Sequence, residues 1–343
     1  VSLWRTPGFW REDGLVPRLL SPIAAVWGAV AARRMAAPAR ARADLPVIVV
    51  GNLTAGGAGK TPTVIALVDR LRRLGFRPAV LSRGYGGADP GPLRVDVAAD
   101  IAARVGDEPL LLAAHAPTIV ARDRAAGLPL VGESGADVLV LDDGFQTTAL
   151  EKDLRIVVVD AGAGIGNGRV LPAGPLRAPL DRQLDRTDLL VVIDSGEASA
   201  PSTLRLVAEA RRRGLPVVAA RLVARAPETV AGRRVLAHAG IGRPEKFAAG
   251  LAAAGAHVVA LEAFADHRPL GRADAERLLA RAAADDLLPV TTEKDAARAR
   301  GAEPAVRRLF EASIVFPVDL VFEQADAVDA AIAAASIRFR ARS

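Results

Sequence analysis

Lys60 and Thr61 are the first residues whose types and spacing could do chemistry. They close the stretch 47–62, V-I-V-V-G-N-L-T-A-G-G-A-G-K-T-P. A β-branched run breaking into glycines and ending in G-K-T is the strand–loop–helix context of a phosphate-binding loop. Backbone N–H groups from Thr54, Ala55, Gly56, Gly57, Ala58 and Gly59 would cradle phosphate oxygens at a helix N-terminus. Lys60 would reach the β- and γ-phosphates of ATP, and the Thr61 hydroxyl would hold Mg²⁺. Thr54 stands where the common pattern has its first glycine, so a glycine-rich turn without a ligand is the other reading. Ala55 stands where partitioning-type ATPases carry an additional lysine, which speaks against a switch of that kind.

Carboxylates supply the second set. Apolar residues 138–141 run into Asp142-Asp143-Gly144, the pattern in which a strand-tip carboxylate holds Mg²⁺; the alternative is a solvated turn. Asp107 and Glu108 open an apolar helix, as caps or as catalysts. His267 lies on a polar loop beside Asp266, whereas His115, His238 and His257 have apolar neighbours and suit structural roles. Two further loops sit where open α/β sheets place ligands. One is S-R-G-Y-G-G, with Ser82, Arg83 and the only tyrosine, Tyr85. The other, 164–177, carries Asn167, Arg169 and Arg177, and arginines suit phosphate through paired bonds. Plain surface loops would look the same.

The elements that must position these groups alternate strand and helix from residue 47 onward. Strands at 47–50, 78–81, 138–141, 154–160, 189–193 and 217–222 predict a P-loop core, a mostly parallel sheet flanked by helices. A second α/β alternation follows a boundary near 224–229. The expected organisation is an N-terminal helix region (1–45), a P-loop core (46–224) and a smaller α/β unit (225–343).

Composition narrows the partners. The 343 residues carry a net charge of +6, with 45 Lys+Arg, only four of them lysine, and no cysteine. Disulfides and thiolate metal sites are excluded. No nucleic-acid motif accompanies the basic excess, which fits an anionic ligand or membrane surface better. Residues 1–45 hold all three tryptophans (Trp4, Trp10, Trp27) among arginines, and 19–32 is uncharged. That segment falls short of the ~20 residues a spanning helix needs. Its helical spacing predicts an in-plane interfacial helix with Pro22 in the first turn. A helix packed on its own protein, or a secretory signal opposed by Glu12 and Asp13, are the alternatives.

An ordered set of motifs spans nearly the whole chain: V-G-N-L-T-A-G-G-A-G-K-T-P (50–62), S-R-G-Y-G-G (82–87), V-G-D-E-P (105–109), L-D-D-G-F-Q (141–146), G-N-G-R-V-L-P-A-G-P-L-R (166–177), A-G-I-G-R-P (239–244), D-H (266–267) and T-E-K-D (292–295). Together they resemble the tetraacyldisaccharide 4′-kinase family, the lipid A kinases of Gram-negative bacteria. The resemblance implies ATP- and Mg²⁺-dependent phosphorylation of a tetraacylated glucosamine disaccharide 1-phosphate at the cytoplasmic leaflet of the inner membrane. It implies Asp107 as the base supported by His267, Lys60 and Thr61 as the P-loop pair, and Asp142 and Asp143 as Mg²⁺-linked carboxylates. Arg177 matches the arginine of P-A-G-P-L-R, but Ala178 stands where the family usually has Glu. The alternative is a membrane-recruited P-loop ATPase switch acting on a protein partner.

Overall fold

Four consecutive β-branched residues leave Val47–Asn52 (β1) no face for water, and every residue of the strand is buried. The structure, a computed structural model, describes residues 7–194, 196, 198–266 and 268–342. Trp4, Arg5 and His267 lie outside them. The large sheet also contains Pro78–Ser82 (β2), Leu93–Arg94 (β3), Thr118–Val120 (β4), Val138–Asp142 (β5), Leu154–Asp160 (β6), Leu189–Asp194 (β7) and Val217–Ala224 (β8). The smaller sheet is built from Arg234–Ala239 (β9), His257–Ala263 (β10), Leu288–Thr292 (β11) and Ile314–Phe316 (β12), and Val318–Phe322 (β13) follows.

Among the described residues the large sheet has the order β13-β8-β7-β6-β1-β5-β2-β4-β3, and the smaller β10-β9-β11-β12. β1 is paired in parallel with β5 and β6. Only the edge strands β3 and β13 run antiparallel to their neighbours. The loops after β1, β2, β5 and β6 therefore emerge along one edge of the sheet, where such folds bind ligands.

The helices are Leu15–Ala36 (α1), Lys60–Arg73 (α2), Ala102–Val105 (α3), Asp107–Ala113 (α4), Leu128–Glu133 (α5), Leu180–Leu184 (α6), Pro201–Arg212 (α7), Pro244–Ala253 (α8), Arg272–Ala284 (α9), Glu293–Arg298 (α10), Pro304–Ala312 (α11) and Ala325–Arg342 (α12). They cover both faces of both sheets. Ile48 and Val50 face α2 and α12, while Val47 and Val49 face the side of Met35, Val131 and Leu206. In the smaller sheet α8 covers one face, and α9 and α11 cover the other.

Sequence reasoning puts residues 318–342 with the second unit, but they return to the large sheet. Val318 lies opposite Ala224, and Val328, Ile332 and Ala335 of α12 pack on the α2 side. β13 covers the edge of β8, which would otherwise leave a row of backbone groups unpaired.

Helix α1 also departs from expectation. It starts at Leu15, so Pro17 occupies the first turn and Pro22 the interior. At 22 residues it is long and apolar enough to cross a membrane by length and composition, although 19–32 alone is not. Its small-residue face (Ala24, Gly28, Ala31, Met35) rests on the large domain. Leu15, Leu19, Ile23, Val26, Trp27 and Val30 point outward, Leu19 69% and Val26 67% exposed.

Candidate active site

The P-loop is held open from three sides. Asn52 Nδ2 donates to the Gly56 carbonyl (3.1 Å), Thr63 Oγ1 to Gly59 O (2.8 Å), and Ala55 N to Pro175 O (2.8 Å). Gly59 precedes α2 at φ 85°, a left-handed conformation that a side chain resists, and an added Cβ would collide with Ile193. The backbone groups of residues 54–59 thus meet the N-terminus of α2. Ala58 is buried, and Gly56 and Gly57 are exposed.

Lys60 lies at the start of α2 and points to the tip of β5, its Nζ 3.7 Å from Asp143 Oδ2. Arg177 Nη1 reaches both Asp143 oxygens at 3.1 Å, and its Nε donates to Thr54 O (3.0 Å). Burial would raise the Asp143 pKa, but Lys60, Arg177 and the Gly144 N–H outweigh it and bring it down to about 2. Asp142 differs. Burial first, then the charge of Glu108, push it up to about 7 against Lys60 and the Ser82 hydroxyl. Ser82 Oγ donates to its Oδ2 (3.0 Å), while its buried Oδ1 meets no hydrogen-bond donor among the described residues.

That oxygen bears on Mg²⁺. A buried carboxylate oxygen without a donor among the described residues, a second carboxylate beside it and a buried hydroxyl at the start of α2 have the hard-oxygen chemistry that Mg²⁺ takes. Among the described residues no group of three or more His, Asp or Glu side chains forms a closed metal cage. An open, few-carboxylate set is what a Mg²⁺ shared with phosphates needs.

The smaller domain brings its own strand-end loops to this edge. A Cβ built on Gly242 would lie 3.9 Å from Gly57 of the P-loop. Asp160, ending β6, takes Arg243 Nη1 (2.6 Å) and the Lys246 ammonium. Asp107, only 4% exposed, accepts from Arg298 Nη2 (2.6 Å) and Nε (3.2 Å) at Oδ2. Its Oδ1 accepts from the Glu108 N–H (2.9 Å). Lys294 bonds Glu108 Oε1 (3.1 Å) and lies 3.7 Å from Asp266. Burial would lower the Lys294 pKa, but Glu108, Asp107 and Asp266 hold it raised. These ion pairs join α4 to α10.

The structure gathers Lys60, Asp142, Asp143, Arg177 and Ser82, and its ion pairs carry Asp107 and Glu108 to the same edge. Arg83 and Tyr85 are exposed beside them on the loop after β2. A Cβ on Gly106 would meet Tyr85 O at 2.7 Å, so that loop lies directly on the G-D-E-P turn. Asn167 and Arg169 do something else. Asn167 Nδ2 donates to Phe9 O (3.2 Å) and Ala173 O (2.9 Å), and Arg169 pairs with Asp13 (3.0 Å) and Ser21 (2.6 Å). Both tie the N-terminal segment to the core.

Arg124, Lys152 and Arg298 also belong to this edge, though nothing in the sequence motifs marks them. Arg124 is buried with its Nη2 on Asp143 O (3.0 Å), and Lys152 Nζ donates to Phe145 O (3.2 Å). Both brace the D-D-G-F-Q turn, and neither lies in a motif that signals it. The T-E-K-D segment did stand out, and Arg298 follows it within the same helix.

A P-loop beneath a second α/β domain, with an acid–base candidate at the seam, defines the class: a phosphoryl-transfer enzyme of the P-loop type. The family model for tetraacyldisaccharide-1-P 4′-kinase matches residues 16–336. The tetraacyldisaccharide 4′-kinase of Methylobacterium nodulans is 51% identical over 327 residues, covering 94% of this chain and 93% of its own. That of Methylorubrum extorquens strain PA1 is 52% identical over 314 residues, covering 91% and 94%. The chain belongs to the tetraacyldisaccharide 4′-kinase family. The solved structure of LpxK from Aquifex aeolicus, in complex with ATP, has the same fold, with a TM-score of 0.69 at 24% identity over 94% of this chain and 99% of that one. The ATPase-switch alternative is not favoured by these relatives.

Proposed function

We propose that the protein transfers the γ-phosphate of ATP to the 4′-hydroxyl of a tetraacylated glucosamine disaccharide 1-phosphate. One observation carries the mechanism: the buried Asp107 carboxylate opens α4 beside Glu108, whose charge acts on Asp142 at the tip of β5. That proximity supports Asp107 as a base acting at the phosphate-binding loop. The P-loop N–H groups hold the phosphate chain, and Lys60 leaves Asp143 for the β- and γ-phosphates. A sugar hydroxyl is a weak nucleophile, so Asp107 accepts its proton as the oxygen attacks the γ-phosphorus. The bond from that phosphorus to the bridging oxygen breaks, and ADP departs with the electron pair. Asp142, Asp143 and Thr61 would hold Mg²⁺, which supplies charge stabilisation on the phosphates. The family resemblance assigns His267 to support of Asp107, and Ser82, Arg83, Tyr85 and Arg177, on the strand-end loops, would line the substrate.

Helix α1 supports a membrane-side acceptor. One face is docked on the core and the other presents large apolar residues between Arg18 and the pair Arg33-Arg34. An amphipathic helix so laid inserts its outer face into the boundary between headgroups and acyl chains. The acyl chains then stay in the cytoplasmic leaflet while the sugar enters the cleft.

The test is steady-state turnover of tetraacyldisaccharide 1-phosphate in mixed micelles with wild type, Lys60→Ala and Asp107→Ala. Asp107→Ala is expected to lose about 10²–10⁴-fold in kcat at little changed KM. A loss in kcat smaller than about tenfold would remove Asp107 as the base.

A further inference from the structure

Arg298 of the smaller domain donates twice to the carboxylate of Asp107, and its surroundings leave it little freedom. Its side chain is 10% exposed and that of Asp107 4%. Nη2 and Nε both donate to Asp107 Oδ2, at 2.6 and 3.2 Å. The remaining terminal nitrogen, Nη1, donates to Asp295 Oδ1 (2.7 Å) and Gly240 O (3.2 Å). Asp295 is fixed in turn by the Gly240 N–H at 3.2 and 3.1 Å and by the Thr292 hydroxyl at 2.7 Å. A Cβ on Gly240 would come within 3.0 Å of Arg298 Nη1 and 3.2 Å of Asp295 Oδ1, so the turn after β9 closes tightly on this pair. The guanidinium is therefore clamped at its rear by β9 and α10, with its front aimed at one oxygen of a carboxylate on the other domain.

We propose that Arg298, anchored by Asp295, is a positioning residue: it fixes the Asp107 carboxylate for proton transfer only when the two domains are docked. This rests on the reading of Asp107 as the base. A rigid planar fork restricts a carboxylate's rotation more than a lysine would. It holds Oδ2, while the Glu108 N–H donates to Oδ1. Because Arg298 belongs to the smaller domain and Asp107 to the larger, the base acquires its full geometry through the docked arrangement. A misplacement of the order of 1 Å in such a group costs about 100-fold in rate.

The experiment is a double-mutant cycle in the mixed-micelle assay with Asp107→Ala, Arg298→Ala and the double variant, together with Arg298→Lys. Each variant is first checked for an ATP affinity like wild type, which establishes that the P-loop domain is folded. Arg298→Ala is expected to lower kcat about 100-fold with both KM values within about threefold. Millimolar guanidinium should restore part of that loss, Arg298→Lys should retain more activity than Arg298→Ala, and in the Asp107→Ala background removing Arg298 should cost nothing further. Full additivity of the two losses, a loss carried by KM, the absence of guanidinium rescue, or an Arg298→Ala enzyme as fast as wild type each overturns the proposal. The base reading fails separately: Asp107→Ala would then stay active whatever Arg298 does.

Discussion

Asp142 and Asp143 are neighbours with opposite fates, and the cause is which partners the fold lends to each. Asp143 turns out of the strand at φ 55° and is met by Lys60 and Arg177. Asp142 stays in β5, buried, with a hydroxyl on one oxygen and no donor among the described residues on the other. Burial followed by the Glu108 charge raises its pKa to about 7. Between the usual carboxylate range and pH 7 the folded protein keeps a proton that the unfolded chain has released, so its contribution to stability is lost as pH rises through that window. Asp142→Asn removes this cost. In EDTA at pH 8 the variant is expected to melt above wild type, by the equivalent of about 1–3 kcal/mol, and the gap should close below pH 4. Its kinase activity should fall by at least about 100-fold. A variant that melts lower than wild type at pH 8 would contradict the reading of Asp142 as a strained, function-bound carboxylate. The pair itself was legible from an apolar run ending in D-D-G. Which of the two is paired was not, because Lys60 and Arg177 arrive from distant parts of the chain.

At the scale of elements, α1 and β9 illustrate two limits of the sequence. The period of Leu15, Leu19, Ile23, Val26, Trp27 and Val30 predicts a helix with one apolar stripe, and that stripe is exposed. The opposite, small-residue face was not legible, since Ala24, Gly28 and Ala31 signal nothing until Pro179 and Val170 are seen against Gly28. Replacing Leu19, Ile23 and Val26 together by serine is expected to weaken binding to anionic vesicles at least about tenfold. Turnover of acceptor dispersed in detergent should change less than about threefold. Equal losses in both assays would assign the stripe to folding instead. In β9, His238 is buried with Nε2 2.9 Å from Ser313 Oγ and its ring edge-on to Phe310 at 5.5 Å. Burial lowers its pKa to about 4. Its contribution to stability is intact above about pH 6.5 and is lost as pH falls from there toward 4. His238→Gln should therefore lose less of its urea midpoint than wild type between pH 7.5 and 5. Parallel losses would contradict that. His238 is structural as its apolar neighbours imply, whereas His257, placed in the same group by sequence, is exposed on the edge strand β10.

For the whole molecule, the seam between the sheets combines a small apolar cluster, Ala297 with Val105 and Leu110, with several ion pairs. Asp160 at the end of β6 with Arg243 and Lys246 at the start of α8, and Glu108 with Lys294 and Asp107 with Arg298 between α4 and α10, all join one domain to the other. Asp160→Asn would leave two cations facing an uncharged amide. It is expected to cost on the order of 2 kcal/mol, between the values for exposed and buried pairs. The readout is faster hydrogen exchange in 234–316 than elsewhere; a uniform change across both domains would contradict a seam held by this pair. The two α/β units and their motifs could be read from alternating apolar runs and glycine-rich turns. The return of β13 and α12 to the large sheet could not, because an antiparallel edge pairing between residues nearly a hundred apart leaves no local pattern. The central claim is that the cleft along this seam phosphorylates a lipid disaccharide. Its most direct measurement is phosphorus NMR of the product formed from ATP and tetraacyldisaccharide 1-phosphate in mixed micelles. A second phosphomonoester, on the 4′ oxygen, is expected to form in step with ADP. Release of inorganic phosphate at the same rate with and without the lipid, and no new phosphomonoester, would contradict it.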